Sequence, residues 1–139
     1  ETMNLILKLT ALALVFGSGC AALARSYPYR VVVVNLSDEK IFENKVLDSS
    51  DAYNYGCGTL IPWGYAANAG PMETAPNDIF TVRWKDAQKQ PHEQKIDLRQ
   101  RVKRGFKGEI VFVFGADKKF TVEICDEHRQ YPIPQRPKS

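Results

Sequence analysis

The side chains that could do chemistry in this 139-residue chain are three cysteines (Cys20, Cys57, Cys125), two histidines (His92, His128) and a few serines. A Ser-His-acid triad needs its serine on a shaped turn, and none of Ser26, Ser37, Ser49, Ser50 or Ser139 stands in a G-x-S-x-G elbow. Asp48-Ser49-Ser50-Asp51 reads more simply as a turn or a helix cap. Pro91-His92-Glu93 sets one imidazole beside one carboxylate, and Asp126-Glu127-His128 reads as a solvated strand end, so no clustered metal-ligand set is present. Gly56-Cys57-Gly58 lacks the lysine and the following helix of a phosphate loop. The expectation is a protein with no catalytic residues, no metal and no cofactor.

The cysteines point to a compartment. Met3, Asn4 and Lys8, followed by Leu9 to Phe16 with only Thr10 polar, have the layout of a secretory leader, too short to span a bilayer as a mature helix. Two processing readings stay open. Ala22-Leu23-Ala24 is an A-x-A site that would release a soluble protein beginning at Arg25. Gly17-Ser18-Gly19-Cys20 resembles a bacterial lipobox, although Gly17 stands where an aliphatic residue is usual. Lipidation at Cys20 is the favoured reading, because a cysteine closing an apolar run has few other uses, and Ala21 then fits outer-membrane sorting. Either reading removes Cys20 from the thiol count. Cys57 and Cys125 are left in an oxidising compartment and are expected to form a disulfide, which in the chain-entropy model would restrict the unfolded chain by about 4 kcal/mol. Two unpaired buried cysteines are the alternative.

Composition bounds the class. At 44% apolar and 25% charged, the chain is neither disordered nor a multi-pass membrane protein, and its net charge of +3 is too mild to argue for nucleic acid. Charge is unevenly placed: Asp38, Glu39, Glu43, Asp48 and Asp51 crowd one stretch, while Lys95 to Lys107 is basic except for Asp97.

The elements that must position these residues read as strands. Residues 1–24 form the leader, 25–29 a tether, 30–130 the domain and 131–139 a Pro-rich tail expected to be extended and partly mobile. Arg30 to Leu36 (RVVVVNL) and Glu109 to Phe114 (EIVFVF) are continuous β-branched or aromatic runs, the mark of strands buried on both faces. Ile41 to Leu47 follows the first after a turn and looks like its hairpin partner. Asp78 to Lys85 alternates, with Phe80, Val82 and Trp84 on the core side. Asp86 to His92 reads as a polar connection, and Lys95 to Lys103 as a short strand and turn, with a helical turn as the alternative. Phe120 to Cys125 places Phe120, Val122 and Ile124 on one face and Cys125 on the other. Between Asp48 and Asn77 lies a stretch rich in Gly, Pro and aromatics, read as a binding loop or as cover for short irregular strands. The sum is an all-β protein: one small antiparallel β-sandwich with a long aromatic and Gly-rich loop.

Within that loop Tyr53, Tyr55, Trp63 and Tyr65 are of the types that dominate interface energetics, and Arg99 and Arg101 could meet an acidic protein or anionic headgroups. The plainer readings are that Trp63 and one tyrosine cap the core and that the arginines are a solvated edge.

The motifs also carry a family likeness. The succession of VVVVN (Val31 to Asn35), G-C-G and P-W-G (Gly56 to Gly64), PNDIFTVRW (Pro76 to Trp84), KIDL (Lys95 to Leu98) and GEIVFVF (Gly108 to Phe114) resembles small bacterial lipoproteins encoded beside type VI secretion phospholipase effectors. Members of that group act as immunity proteins. The resemblance covers Tyr29 to Cys125, and the doubled cysteine of some relatives is missing here. It implies a non-enzymatic protein of the Gram-negative periplasm, anchored to the outer membrane by an N-terminal lipid, that binds a cognate phospholipase or lipase effector and blocks its substrate access. The other readings are a structural outer-membrane lipoprotein of an envelope or secretion assembly, and a small lipid- or ligand-binding module.

Overall fold

A computed structural model describes residues 25–68 and 71–139 and divides them among eight strands and the turns that join them. The leader, with Cys20 and both processing sites, lies outside the described residues. The strands are β1 (Arg30–Leu36), β2 (Ile41–Leu47), β3 (Gly58–Leu60), β4 (Tyr65–Ala67), β5 (Ile79–Lys85), β6 (Pro91–Asp97), β7 (Glu109–Gly115) and β8 (Phe120–Cys125). They form two four-stranded sheets, ordered β4-β1-β7-β8 and β3-β2-β5-β6, which pack face to face as a small all-β sandwich.

The two continuous apolar runs take the two central positions of the first sheet, as residues that need cover on both faces must. Val31 and Val33 of β1 and Ile110, Phe112 and Phe114 of β7 face Ile41, Val46, Phe80 and Val82 of the second sheet. Phe80 and Phe112 meet edge to face across the sheets at 6.1 Å. Val32, Val34, Val111 and Val113 point the other way and are also buried, in a smaller cluster with Tyr65 of β4 and Tyr131 of the tail.

Several expectations change. β1 and β2 are not a hairpin: they belong to different sheets, and the turn between them carries the chain across the sandwich. Asn35 holds that crossing. Its buried amide donates to the carbonyls of Glu39 (2.7 Å) and Ile61 (3.1 Å) and accepts from the backbone N–H and hydroxyl of Ser37. The sandwich is not wholly antiparallel either, because β1 runs parallel to β7, with Arg30 opposite Glu109 and Leu36 opposite Gly115. The long loop contains β3 and β4, short edge strands that flank β2 and β1. β6 begins at Pro91, inside the stretch read as a polar connection.

The expected Cys57–Cys125 disulfide is not formed, and both thiols are free. Cys57 lies beside β2 at the β3 edge of the second sheet, where its sulfur accepts from Asn44 Nδ2 at 3.1 Å. Cys125 ends β8 at the far edge of the first sheet, on the face turned away from the second. Opposite edges of opposite sheets do not bring two Cα atoms within bonding range. Gly56, before Cys57, packs directly on the β2 backbone at Asn44, leaving no room for a Cβ.

The tail carries no strand or helix, and it is tied down. His128 Nε2 donates to the Pro28 carbonyl at 2.9 Å, Tyr131 lies against the outer valines, and Arg136 donates through Nε and Nη2 to Asp38 Oδ1 at 3.1 and 2.9 Å. The strap therefore runs from the Pro28 end of the first sheet to the β1–β2 turn. Near its start, Arg30 Nε sits 3.4 Å from Oε2 of Glu109, a carboxylate with 0% exposure whose oxygens accept no hydrogen bond.

Candidate functional site

The best-formed concavity lies at the end of the sandwich where β1 and β7 finish. Three connections frame it: the β1–β2 turn (Ser37, Asp38, Glu39), the β5–β6 hairpin (Asp86) and the β7–β8 hairpin (Gly115, Ala116, Lys118, Lys119). They enclose roughly 280 Å³ over a floor of Ile41, Trp84 and Phe114. Each frame follows from local chemistry. Asp86 accepts from the amides of Gln88 and Gln90, and Asp117 from that of Lys119, the side-chain-to-backbone bonds that let aspartate set a turn. Lys89 and Lys118 take the positive φ these tight hairpins require, 62° and 60°.

Trp84 organises the floor. Its ring stacks with His92 at 5.2 Å and with Phe120 at 5.4 Å, and meets Phe114 edge-on at 5.1 Å. Trp84 and His92 are cross-strand partners in β5 and β6, which fixes their stacking by register. His92 Nε2 is 2.9 Å from Asp86 Oδ2, and the hydrogen bonds from His92 and then Gln90 hold the Asp86 carboxyl below its usual range.

The wall beside the strap is built on Asp38. Its Oδ1 accepts from Trp63 Nε1 at 3.1 Å and from Arg136, and these bonds, Trp63's first, lower its pKa. Trp63 reaches Asp38 from a turn closed by Gly64 N–H to the Ile61 carbonyl at 2.9 Å, with Pro62 in the second position. The third position of such a turn favours glycine because φ is positive there, yet Trp63 occupies it at 57°. Holding a bulky residue in that region costs on the order of 1–3 kcal/mol, which the indole offsets through its bond to Asp38 and the packing of the turn.

Chemically, the arrangement suits recognition. An aromatic floor with carboxylates on one wall and lysines on another presents apolar area and both signs of charge to something that enters from the open end. Among the described residues, no group of three or more His, Cys, Asp or Glu is placed to hold a metal ion.

No protein-family model matches the chain, and no curated protein matches it. Among solved structures, the NMR structure of a protein from Eubacterium rectale is similar at 11% identity, over 76% of this chain and 94% of that one, with a TM-score of 0.47.

The six residues expected from sequence to form a partner surface are dispersed. Trp63 does not line the cleft but donates to Asp38, which does, and Tyr65 in β4 covers the outer valines. Tyr53 and Tyr55 stack at 6.3 Å near the opposite end, and Tyr55 is a core residue at 5% exposure. Its hydroxyl bonds Thr74 Oγ1 at 2.8 Å, and Thr74 donates on to the buried Asp48 at 2.8 Å. Burial pushes the Tyr55 phenol upward in pKa, as it does more strongly for Tyr29 beside this network. Arg99 grips Asp97 through two hydrogen bonds of 3.0 and 2.7 Å, and Arg101 Nη2 donates to the Val122 carbonyl on the free edge of β8 at 3.1 Å. Sequence reading missed Asp38, Trp84, Asp86, His92, Lys118 and Lys119 as one group, because apart from Trp84 and His92 they are ordinary turn residues and only the crossings between sheets assemble them.

Proposed function

We propose that this protein is a periplasmic immunity-type binding module that engages a lipase-like effector of a type VI secretion system and blocks its substrate access, held at the outer membrane through a lipidated Cys20. The resemblance of the strand motifs to immunity lipoproteins supplies the partner class. The observation that carries the reading is the cleft at the open end: an aromatic-floored recess framed by three short connections, with its Asp38 wall braced by Trp63, which is held in strained backbone. Aromatic anchors surrounded by a charged rim are where interfaces concentrate their energy.

The test co-expresses the protein in the periplasm with a lipase-like type VI effector encoded beside its gene. Protection by the wild type is expected, and Trp63→Ala or the pair Lys118→Glu and Lys119→Glu should weaken effector binding by roughly tenfold or more while the melting curve stays cooperative. Continued killing at matched expression of the wild type overturns the reading. The size and polar rim of the cleft also favour a second reading, a module for a small amphiphilic ligand. A thermal shift with lipid fragments in the absence of any effector, abolished by Lys118→Glu with Lys119→Glu, would select it.

A further inference from the structure

The four sheet edges are treated differently. β3 and β4 are three residues each, and β8 has Arg101 seated on its Val122 carbonyl. β6 is seven residues long, and along it only Ile96 is buried. The direction of its free hydrogen-bonding groups follows from its pairing with β5. Asp86 N–H donates to the Gln90 carbonyl and Leu98 N–H to the Asp78 carbonyl, so the even-numbered residues between them face β5. The backbone groups of Pro91, Glu93, Lys95 and Asp97 therefore point outward. Proline in the first strand position, where it forfeits only an outward donor, is the placement an edge tolerates.

We propose that this edge pairs with the β6 edge of a second copy of the chain, antiparallel about a two-fold axis at Gln94, joining the two β3-β2-β5-β6 sheets into one continuous sheet. Only outward-facing residues can exchange ladder bonds, so the axis must pass through a residue position, and the side chains select which one. Centred on Gln94, Glu93 lies opposite Lys95 of the second copy and Lys95 opposite its Glu93. Opposite charges meet twice on one face, while Gln94 meets Gln94 on the other. Glu93 and Lys95 then exchange backbone hydrogen bonds with their opposites, and Asp97 N–H donates to the Pro91 carbonyl across the axis. Centred on Glu93, glutamate faces glutamate. Centred on Lys95, lysine faces lysine and Glu93 faces Asp97. Charged edge residues usually keep strands apart; centred on Ile96, Lys95 would also face Asp97, but only residues 95–97 of the two strands then overlap, whereas the Gln94 axis matches opposite charges and pairs the strand over its whole length. Glu93 also pairs with Arg83 at 2.7 Å within its own sheet, which holds its carboxylate on the face where Lys95 of the second copy arrives. A single strand pair buries little area, so the dimer is weak and concentration-dependent.

The experiment is sedimentation equilibrium of the mature chain from about 10 μM to about 1 mM, the span in which small interfaces associate. A monomer–dimer equilibrium is expected. Lys95→Glu and Glu93→Lys should each raise the dissociation constant by about tenfold or more, and the swapped pair Glu93→Lys with Lys95→Glu should return it to within about threefold of wild type. Amide exchange supplies a readout independent of the variants: Glu93, Lys95 and Asp97 should gain protection with concentration, while His92, Gln94 and Ile96 stay protected throughout. A wild-type monomer over the whole range, a swapped pair no tighter than the single variants, or exchange at Glu93 and Lys95 that ignores concentration each overturns the proposal.

Discussion

The outer faces of the two sheets solve opposite problems. On the second sheet that face is solvated charge: Arg83 pairs with Glu93 at 2.7 Å and Lys85 with Glu43 at 2.8 Å, each partner at least two-fifths exposed. On the first sheet it is Val32, Val34, Val111 and Val113, buried beneath Tyr65 and the tail, with the ion pair Arg30–Glu109 enclosed at one end. The same kind of contact thus carries different energy on the two faces. Exposed pairs are screened and nearly neutral to stability, whereas an enclosed carboxylate leans on its single cation. A small sandwich can leave one sheet half-buried only because alternation lets that sheet meet water; a sheet built from continuous valine needs a third layer, and here the tail is that layer.

The largest expected effect breaks this contrast where it is sharpest. Arg30→Ala leaves the Glu109 carboxyl unpartnered in the interior and should cost about 3–5 kcal/mol in urea unfolding. Replacing both members, Arg30→Met with Glu109→Leu, should restore stability or exceed wild type by about 1–4 kcal/mol. If Arg30→Ala is harmless, the enclosed pair is no different from the exposed ones.

Next comes the cover itself. Ending the chain after Arg129 removes Tyr131 and the Arg136 anchor, and should cost about 2 kcal/mol through re-exposed apolar surface, with new binding of a hydrophobic dye. An unchanged melting temperature would mean that the valine face needs no third layer.

A smaller effect follows from acid. Asp38 has a lowered folded-state pKa, so its bonds to Trp63 and Arg136 favour the folded, strapped state above the ordinary carboxyl value near 3.9, and that contribution is lost as pH falls through the lowered value. Trp63 fluorescence should shift on acidification in the wild type, and Asp38→Asn should show the shifted signal already at neutral pH. A wild-type signal that titrates no differently from that of Asp38→Asn would detach the strap from this carboxylate. Smallest of all, Arg83→Ala on the solvated face should leave the melting temperature where it is.

These contrasts also mark what was readable in the amino-acid order. RVVVVNL and EIVFVF declare themselves central strands because β-branched residues on both faces fit nothing else, and the alternation of Phe80, Val82 and Trp84 assigns the inner face of β5. The beginning of β6 was hidden: with Ile96 alone buried, an edge strand of His92, Glu93, Gln94 and Lys95 has no apolar period to detect. The parallel partnership of β1 and β7 was hidden for another reason, since local pattern reports how buried a strand is and never which strand lies beside it. Cysteine parity misled, because an even count of thiols says nothing about which edges carry them. The P-W-G turn was visible, but the positive φ of Trp63 and its bond to Asp38 depend on a turn far away in sequence. Proline-rich composition suggested a loose tail; the anchors that fix it are single polar contacts of His128 and Arg136, which composition does not encode.

The partnership of the first and seventh strands also sets the order in which the molecule can be built. β1 leads the described domain, yet its longest pairing is with β7 near the other end, so the most apolar segment must wait for most of the chain before its ladder can close. Contacts this distant in sequence make folding slow, and until they form RVVVVNL is an unpaired, uncharged template at its centre, the kind of segment that pairs with the wrong chain. A product truncated before Glu109 keeps that hazard permanently. The fold is thus all-or-none at its C-terminal third, and a cell making this protein has reason to destroy every chain that stops short.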